Sequence, residues 1–125
     1  MKSSRKILLV EDDIELQRLY KIRLQKAGNL VVTADDGEQA VLQAICETPD
    51  LIILDLMLPK QGGIQVMRIL KSNPLVKNIP ILVLTAYDHF NYRKDSQQHV
   101  IDFLLKTEVT PQKIVEKIDE YFASH

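Results

Sequence analysis

The chain has 125 residues, 46% of them hydrophobic, which suits one compact domain with its own core, so residues 1–125 are expected to form a single domain. Sixteen basic residues against seventeen acidic ones leave a net charge of −1, with no positive field or basic arm for direct contact with nucleic acid. A single cysteine excludes an internal disulfide, no apolar run reaches membrane-span length, and residues 1–5 lack the hydrophobic part of a signal peptide, so a soluble cytoplasmic protein is expected.

Ile7-Leu8-Leu9-Val10 predicts a short buried strand, broken off by three acids, Glu11, Asp12 and Asp13. From Ile14 to Ala27 the apolar residues Leu16, Leu19, Tyr20, Leu24 and Ala27 recur at helical spacing, with Asp13 as the N-cap and Gly28 as the stop. Leu30 to Ala34 predicts a second strand. Asp36 with Gln39 three residues on then opens a second helix, whose stripe is Ala40, Val41, Ala44 and Ile45. Cys46 falls in this apolar pattern and is expected to be a small core residue and not a nucleophile.

Leu51 to Leu54 is apolar at every position, the pattern of a strand buried on both faces in a parallel sheet. Asp55 ends that run, and Pro59 with Gly62-Gly63 marks the loop leaving it. Ile64, Met67 and Leu70 predict a third helix closed by Ser72-Asn73-Pro74, and Ile79 to Leu84 a fourth strand ending at Thr85. Tyr87 to His99 is polar without a clean stripe, and a fourth helix is expected there. Val100 to Leu105 predicts a fifth strand ending at Lys106, and Thr110-Pro111 caps a last helix with the stripe Ile114, Val115, Ile118 and Phe122. Strands alternating with helices throughout predict a doubly wound α/β fold, a five-stranded parallel sheet with helices on both faces.

The carboxyl ends of parallel strands share one edge, where ligands bind in such sheets. Here that edge receives Glu11, Asp12, Asp13, Asp55, Thr85 and Lys106. Crowded carboxylates call for a shared hard cation, and Mg²⁺ is the expected cofactor. A carboxylate can also attack phosphorus to give an acyl phosphate, provided the transferring group is neutralised; Mg²⁺, the Lys106 ammonium and the Thr85 hydroxyl are the groups for that task.

Taken together, ILLVEDD, LIILDLMLPKQGG, PILVLTA and FLLK resemble the receiver domain of two-component response regulators over nearly the whole chain. The resemblance implies a flavodoxin-like sheet of order 2-1-3-4-5. It implies that Asp55 is the phosphoacceptor, that Asp12 binds Mg²⁺ directly, that Glu11 acts through water and that Met57 contributes its backbone carbonyl. Thr85, Ala86 and Lys106 match the positions that hold the phosphoryl oxygens, Phe103 the aromatic switch partner of Thr85, and Met57 and Tyr87 positions that tune lifetime. A sensor histidine kinase or a histidine phosphotransfer protein is the implied donor. The chain is then a non-enzymatic switch that assists its own phosphorylation and dephosphorylation, a monomer or weak homodimer that signals to a downstream protein. In the family a proline, in a cis bond, usually follows the lysine, whereas this chain has Thr107. Cis costs about 2.5–4 kcal/mol before a non-proline residue, so a trans Lys106–Thr107 bond is expected.

Three other functions compete. A binding module of receiver fold would have no use for the acid cluster. An aspartate-nucleophile phosphatase resembles D-x-D at its nucleophile, where this chain has Asp55-Leu56-Met57, so its general acid is missing. Flavodoxin-like cofactor binding lacks a phosphate loop after the first strand.

Overall fold

The computed structural model describes residues 4–58, 62–86 and 100–125. The sheet runs β2-β1-β3-β4-β5, with β1 at Lys6–Val10, β2 at Leu30–Ala34, β3 at Leu51–Asp55, β4 at Ile81–Thr85 and β5 at Val100–Leu105. Every neighbouring pair is parallel. The helices among the described residues are α1 at Ile14–Lys26, α2 at Gly37–Glu47, α3 at Gly63–Ser72 and α4 at Pro111–Ala123. The helix expected over 87–99 lies outside the described residues.

The unbroken apolar runs become the inner strands because each strand face meets its own layer of helices. Leu8, Val10, Ile52, Leu54, Ile81 and Val83 pack toward α2 and α3, together with Ala40, Ala44, Val66, Met67 and Leu70. The intervening Ile7, Leu9, Leu51, Ile53, Leu82 and Leu84 pack toward α1 and α4, with Tyr20, Leu24, Ile114, Val115 and Ile118. A strand that alternates between two apolar layers has no position left for a polar residue until it ends.

The helix ends follow their capping residues. Asp13 accepts from the N–H groups of Glu15 and Leu16, Asp36 from that of Gln39, and Thr110 from that of Lys113. Gly28 takes φ +95° just past α1, a left-handed conformation natural to glycine.

Several expectations are corrected. Cys46 is exposed, because the stripe of α2 is carried by Ala40 and Ala44, and Cys46 lies off that face. Leu19 is 50% exposed, since Tyr20 and Leu24 alone occupy the fully buried face of α1. Ile79 and Pro80 precede β4 and are not part of it: proline has no N–H for a ladder, although the Pro80 carbonyl still accepts from Ile52 N–H at 3.0 Å. Between β4 and β5 the register slips, so that Ile81 faces Val100 but Leu82 faces Asp102, leaving one extra residue on β5. The Lys106–Thr107 peptide is trans, as expected.

Candidate functional site

Each polar residue at the edge of the sheet is delivered by the end of an apolar strand. Glu11 follows β1 and is fully buried; Asp55 is the last residue of β3 and 1% exposed; Thr85 is the last of β4 and 4% exposed. Lys106 follows β5, where its backbone N–H donates to the Thr85 carbonyl at 2.8 Å. Asp12 and Asp13 are exposed, as is Ala86.

The Lys106 ammonium joins the two buried carboxylates, with Nζ 2.9 Å from Asp55 Oδ2 and 2.7 Å from Glu11 Oε1. A trans bond after Lys106 therefore does not keep its flexible side chain from the acids. Asp55 Oδ1 accepts from Met57 N–H at 3.0 Å, and Glu11 Oε2 accepts from Asp13 N–H at 3.2 Å. Burial pushes the Glu11 carboxyl up from its ordinary 4.5 to about 7; Lys106 pulls it down, and the nearby Asp55 charge pushes it up again. Burial alone would lower Lys106, but its bonds to Glu11 and Asp55 outweigh that and push it up to about 12.

The residues fit a hard divalent cation. Glu11, Asp12 and Asp55 bring ligand oxygens within 4.8 Å of one another, an all-oxygen set of the kind Mg²⁺ prefers. When all three are ionised they carry −3 against +1 on Lys106, leaving two negative charges to be neutralised. Glu11 Oε1 is buried, and its close neighbour among the described residues is the Lys106 ammonium at 2.7 Å.

Met57 is 54% exposed beside Asp55, and Phe103 is half-buried on β5, opposite Val83 and against the α2–α3 layer. Tyr87 lies outside the described residues. Two contributors to the site escaped the sequence reading. Gln17 on α1 donates from Nε2 to the Glu11 carbonyl at 2.9 Å and to Asp35 Oδ1 at 2.7 Å. A polar residue four positions after the Asp13 N-cap was the only signal. Gly63, read as a loop marker, packs on the chain just past Asp55: a Cβ there would stand 2.4 Å from Leu56 Cα and 2.7 Å from the Asp55 carbonyl oxygen.

A family model for the response regulator receiver domain matches residues 7–119. The chain belongs to that family. Receiver domains are signalling switches of two-component systems and interact with histidine kinases. Similar relatives include the alkaline phosphatase synthesis transcriptional regulatory protein PhoP of Bacillus subtilis, 46% identical over 85 residues, a stretch covering 68% of this chain and 35% of that protein. The phosphate regulon transcriptional regulatory protein PhoB of Escherichia coli is 33% identical over 115 residues, covering 92% of this chain and 50% of that one. The chain thus spans about a third to a half of the length of these curated relatives. Among solved structures, a putative response regulator from Chloroflexus aurantiacus superposes with a TM-score of 0.85 at 30% identity, covering 97% of this chain and 99% of that one. The chemotaxis response regulator CheY4 of Vibrio cholerae gives 0.85 at 26% identity, covering 94% and 98%. Among the described residues no helix is long and apolar enough to cross a membrane.

Proposed function

We propose that this receiver domain, residues 1–125 acting as one unit, is a switch in which Asp55 accepts a phosphoryl group from a phosphohistidine of a sensor histidine kinase or a phosphotransfer protein. The observation that carries this reading is the pairing of a buried strand-end carboxylate, Asp55, with the Lys106 ammonium at 2.9 Å, next to Glu11 and Asp12. A carboxylate held this way has one oxygen engaged by a cation and the other by the Met57 N–H, so its orientation is set before the donor arrives.

In the transfer, an Asp55 carboxylate oxygen forms a bond to phosphorus as the phosphorus–nitrogen bond of the phosphoimidazole breaks, leaving the electron pair on the imidazole nitrogen. Lys106 and the Thr85 hydroxyl, with the backbone N–H of Ala86, hold the phosphoryl oxygens. Mg²⁺, when held by Glu11, Asp12, Asp55 and the Met57 carbonyl, supplies charge neutralisation for the transferring group. Thr85 then moves toward the phosphoryl group, leaving room for Phe103 to turn inward, a shift between two packings of one fold. Met57 and Tyr87 tune the lifetime of the acyl phosphate. Similarity to proteins named as transcriptional regulators favours transcription as the process this switch feeds, and the near-neutral charge of these residues leaves any contact with nucleic acid to another domain or a downstream protein.

Incubation with acetyl phosphate and Mg²⁺, followed by intact-mass measurement, should show the gain of one phosphoryl group, stable in acid and labile in alkali. The gain should vanish in Asp55→Asn. Full labelling of that variant would sink the assignment, and failure of the wild type to bind Mg²⁺ would favour a binding module that does not use phosphorylation.

A further inference from the structure

We infer that Gln17 is a positioning residue for the cation site: its side-chain amide clamps the Glu11–Asp12 peptide between α1 and the loop after β2, and so aims the Asp12 carboxylate. Asp12 is exposed, and among the described residues no hydrogen bond holds its side chain. The direction of its Cα–Cβ bond is set by the backbone that carries it, and only two torsions separate that bond from the carboxylate. That backbone is a rigid plane, because the carbonyl of Glu11 and the N–H of Asp12 belong to one peptide unit.

The Glu11 N–H donates to the Ala34 carbonyl at 3.1 Å, which ties the residue to β2, but this bond lies on the other side of the Glu11 Cα; the Asp13 N–H bond to Glu11 Oε2 at 3.2 Å acts one peptide further on, so neither bond is made by the Glu11–Asp12 peptide itself, which keeps some freedom to rotate. Gln17 removes that freedom by donating to the Glu11 carbonyl at 2.9 Å. The amide nitrogen has two N–H groups, and the second is taken by Asp35 Oδ1 at 2.7 Å. Asp35 is in turn fixed, since its N–H donates to Gln39 Oε1 at 3.0 Å and the Gln39 N–H donates to Asp36 Oδ1 at 2.9 Å. The clamp is thus anchored in the cap of α2 and in the second turn of α1, so Asp12 hangs from a peptide that two helices hold.

The inference deepens the proposed Mg²⁺-dependent reading, and its test separates the two. Mg²⁺ affinity is to be measured by titration calorimetry on the folded protein, with urea unfolding of each variant as the record of stability. Gln17→Leu keeps the helix preference but donates nothing. It should weaken Mg²⁺ binding roughly 10-fold, the lower end of what loss of a group supporting a metal ligand does. Asp35→Ala should weaken it several-fold, whereas Asp35→Asn, which keeps an accepting oxygen, should stay within about 2-fold of the wild type, a rescue that loss of stability alone does not predict. Ile118→Val, which loosens the layer under α4, should lower stability and leave affinity unchanged.

Unchanged affinity in Gln17→Leu would overturn the inference while leaving the cation site intact. So would equal losses in Asp35→Asn and Asp35→Ala, a result obtainable even if Gln17→Leu does not fold. Absence of Mg²⁺ binding in the wild type would instead overturn the reading of the site itself.

Discussion

Glu11 has conflicting surroundings. Burial removes it from water, Lys106 stabilises its charge, and Asp55 repels it; the outcome is a carboxyl that titrates near 7 in place of 4.5. The folded protein then keeps a proton that the unfolded chain releases at lower pH. This proton's contribution to stability is full below about 4.5 and is lost as pH rises through about 7. Metal-free protein should therefore become less stable across that window, as read by urea unfolding, and Glu11→Gln should flatten the slope. Lys106, raised to about 12, stays charged throughout and adds no slope of its own there. Mg²⁺ binding has the opposite sign, since the cation needs the ionised carboxylate, so its affinity should rise with pH toward about 7 and then level off. A flat affinity over the same range would show that Glu11 is already ionised in the folded state.

At the scale of single elements, the two adjacent glycines before α3 have different reasons to be there. Gly62 has open space around its missing Cβ and an ordinary φ of −63°, so Gly62→Ala should cost less than about 1 kcal/mol. Gly63 lies against the backbone that leads out of β3, and its N–H donates to the Leu56 carbonyl at 3.0 Å. A methyl group 2.4 Å from Leu56 Cα forces that backbone to move, so Gly63→Ala should lose about 1–3 kcal/mol or more of stability. It should also slow labelling of Asp55 by acetyl phosphate, because the Asp55 carbonyl is the other atom in the way. Similar labelling rates for the two variants would contradict this coupling between α3 and the end of β3. The bulge in β5 is a second element-level device. Strict alternation would place Val100, Asp102 and Leu104 on one face, whereas Val100 and Phe103 share the α2–α3 side and Ile101 and Leu104 the other. The extra residue changes the phase of the strand, and with it the side on which Phe103 packs.

For the molecule as a whole, the candidate metal ligands come from two strands that are separate in sequence and adjacent in the sheet. Only the folded state holds them together, so Mg²⁺ at 100 times its Kd should stabilise the protein by about 2.7 kcal/mol, seen as a rise in Tm. Asp12→Ala should abolish that rise, and an unchanged rise would place the cation elsewhere. Phosphorylated protein should show NMR changes at Thr85 and Phe103 that reach the β4–β5 side of the sheet; changes confined to Asp55 and its neighbours would leave the switch without a moving part. The strand assignments and the strand-end site were legible in the sequence because buried parallel strands are written as unbroken apolar runs, and a polar residue that ends such a run is conspicuous. Glu11, Asp55, Thr85 and Lys106 could each be read in this way, and so could the caps at Asp13, Asp36 and Thr110, whose partners lie within a few residues. Tertiary structure alone decided which side of each helix is covered, exposing Leu19 and Cys46 although both fit an apolar pattern. It alone decided the phase of β5, which depends on how β4 pairs with it, and the roles of Gln17 and Gly63. Those last two act on backbone atoms supplied by other segments, and a backbone atom has the same chemistry whatever residue carries it, so nothing in the local sequence marks the partner.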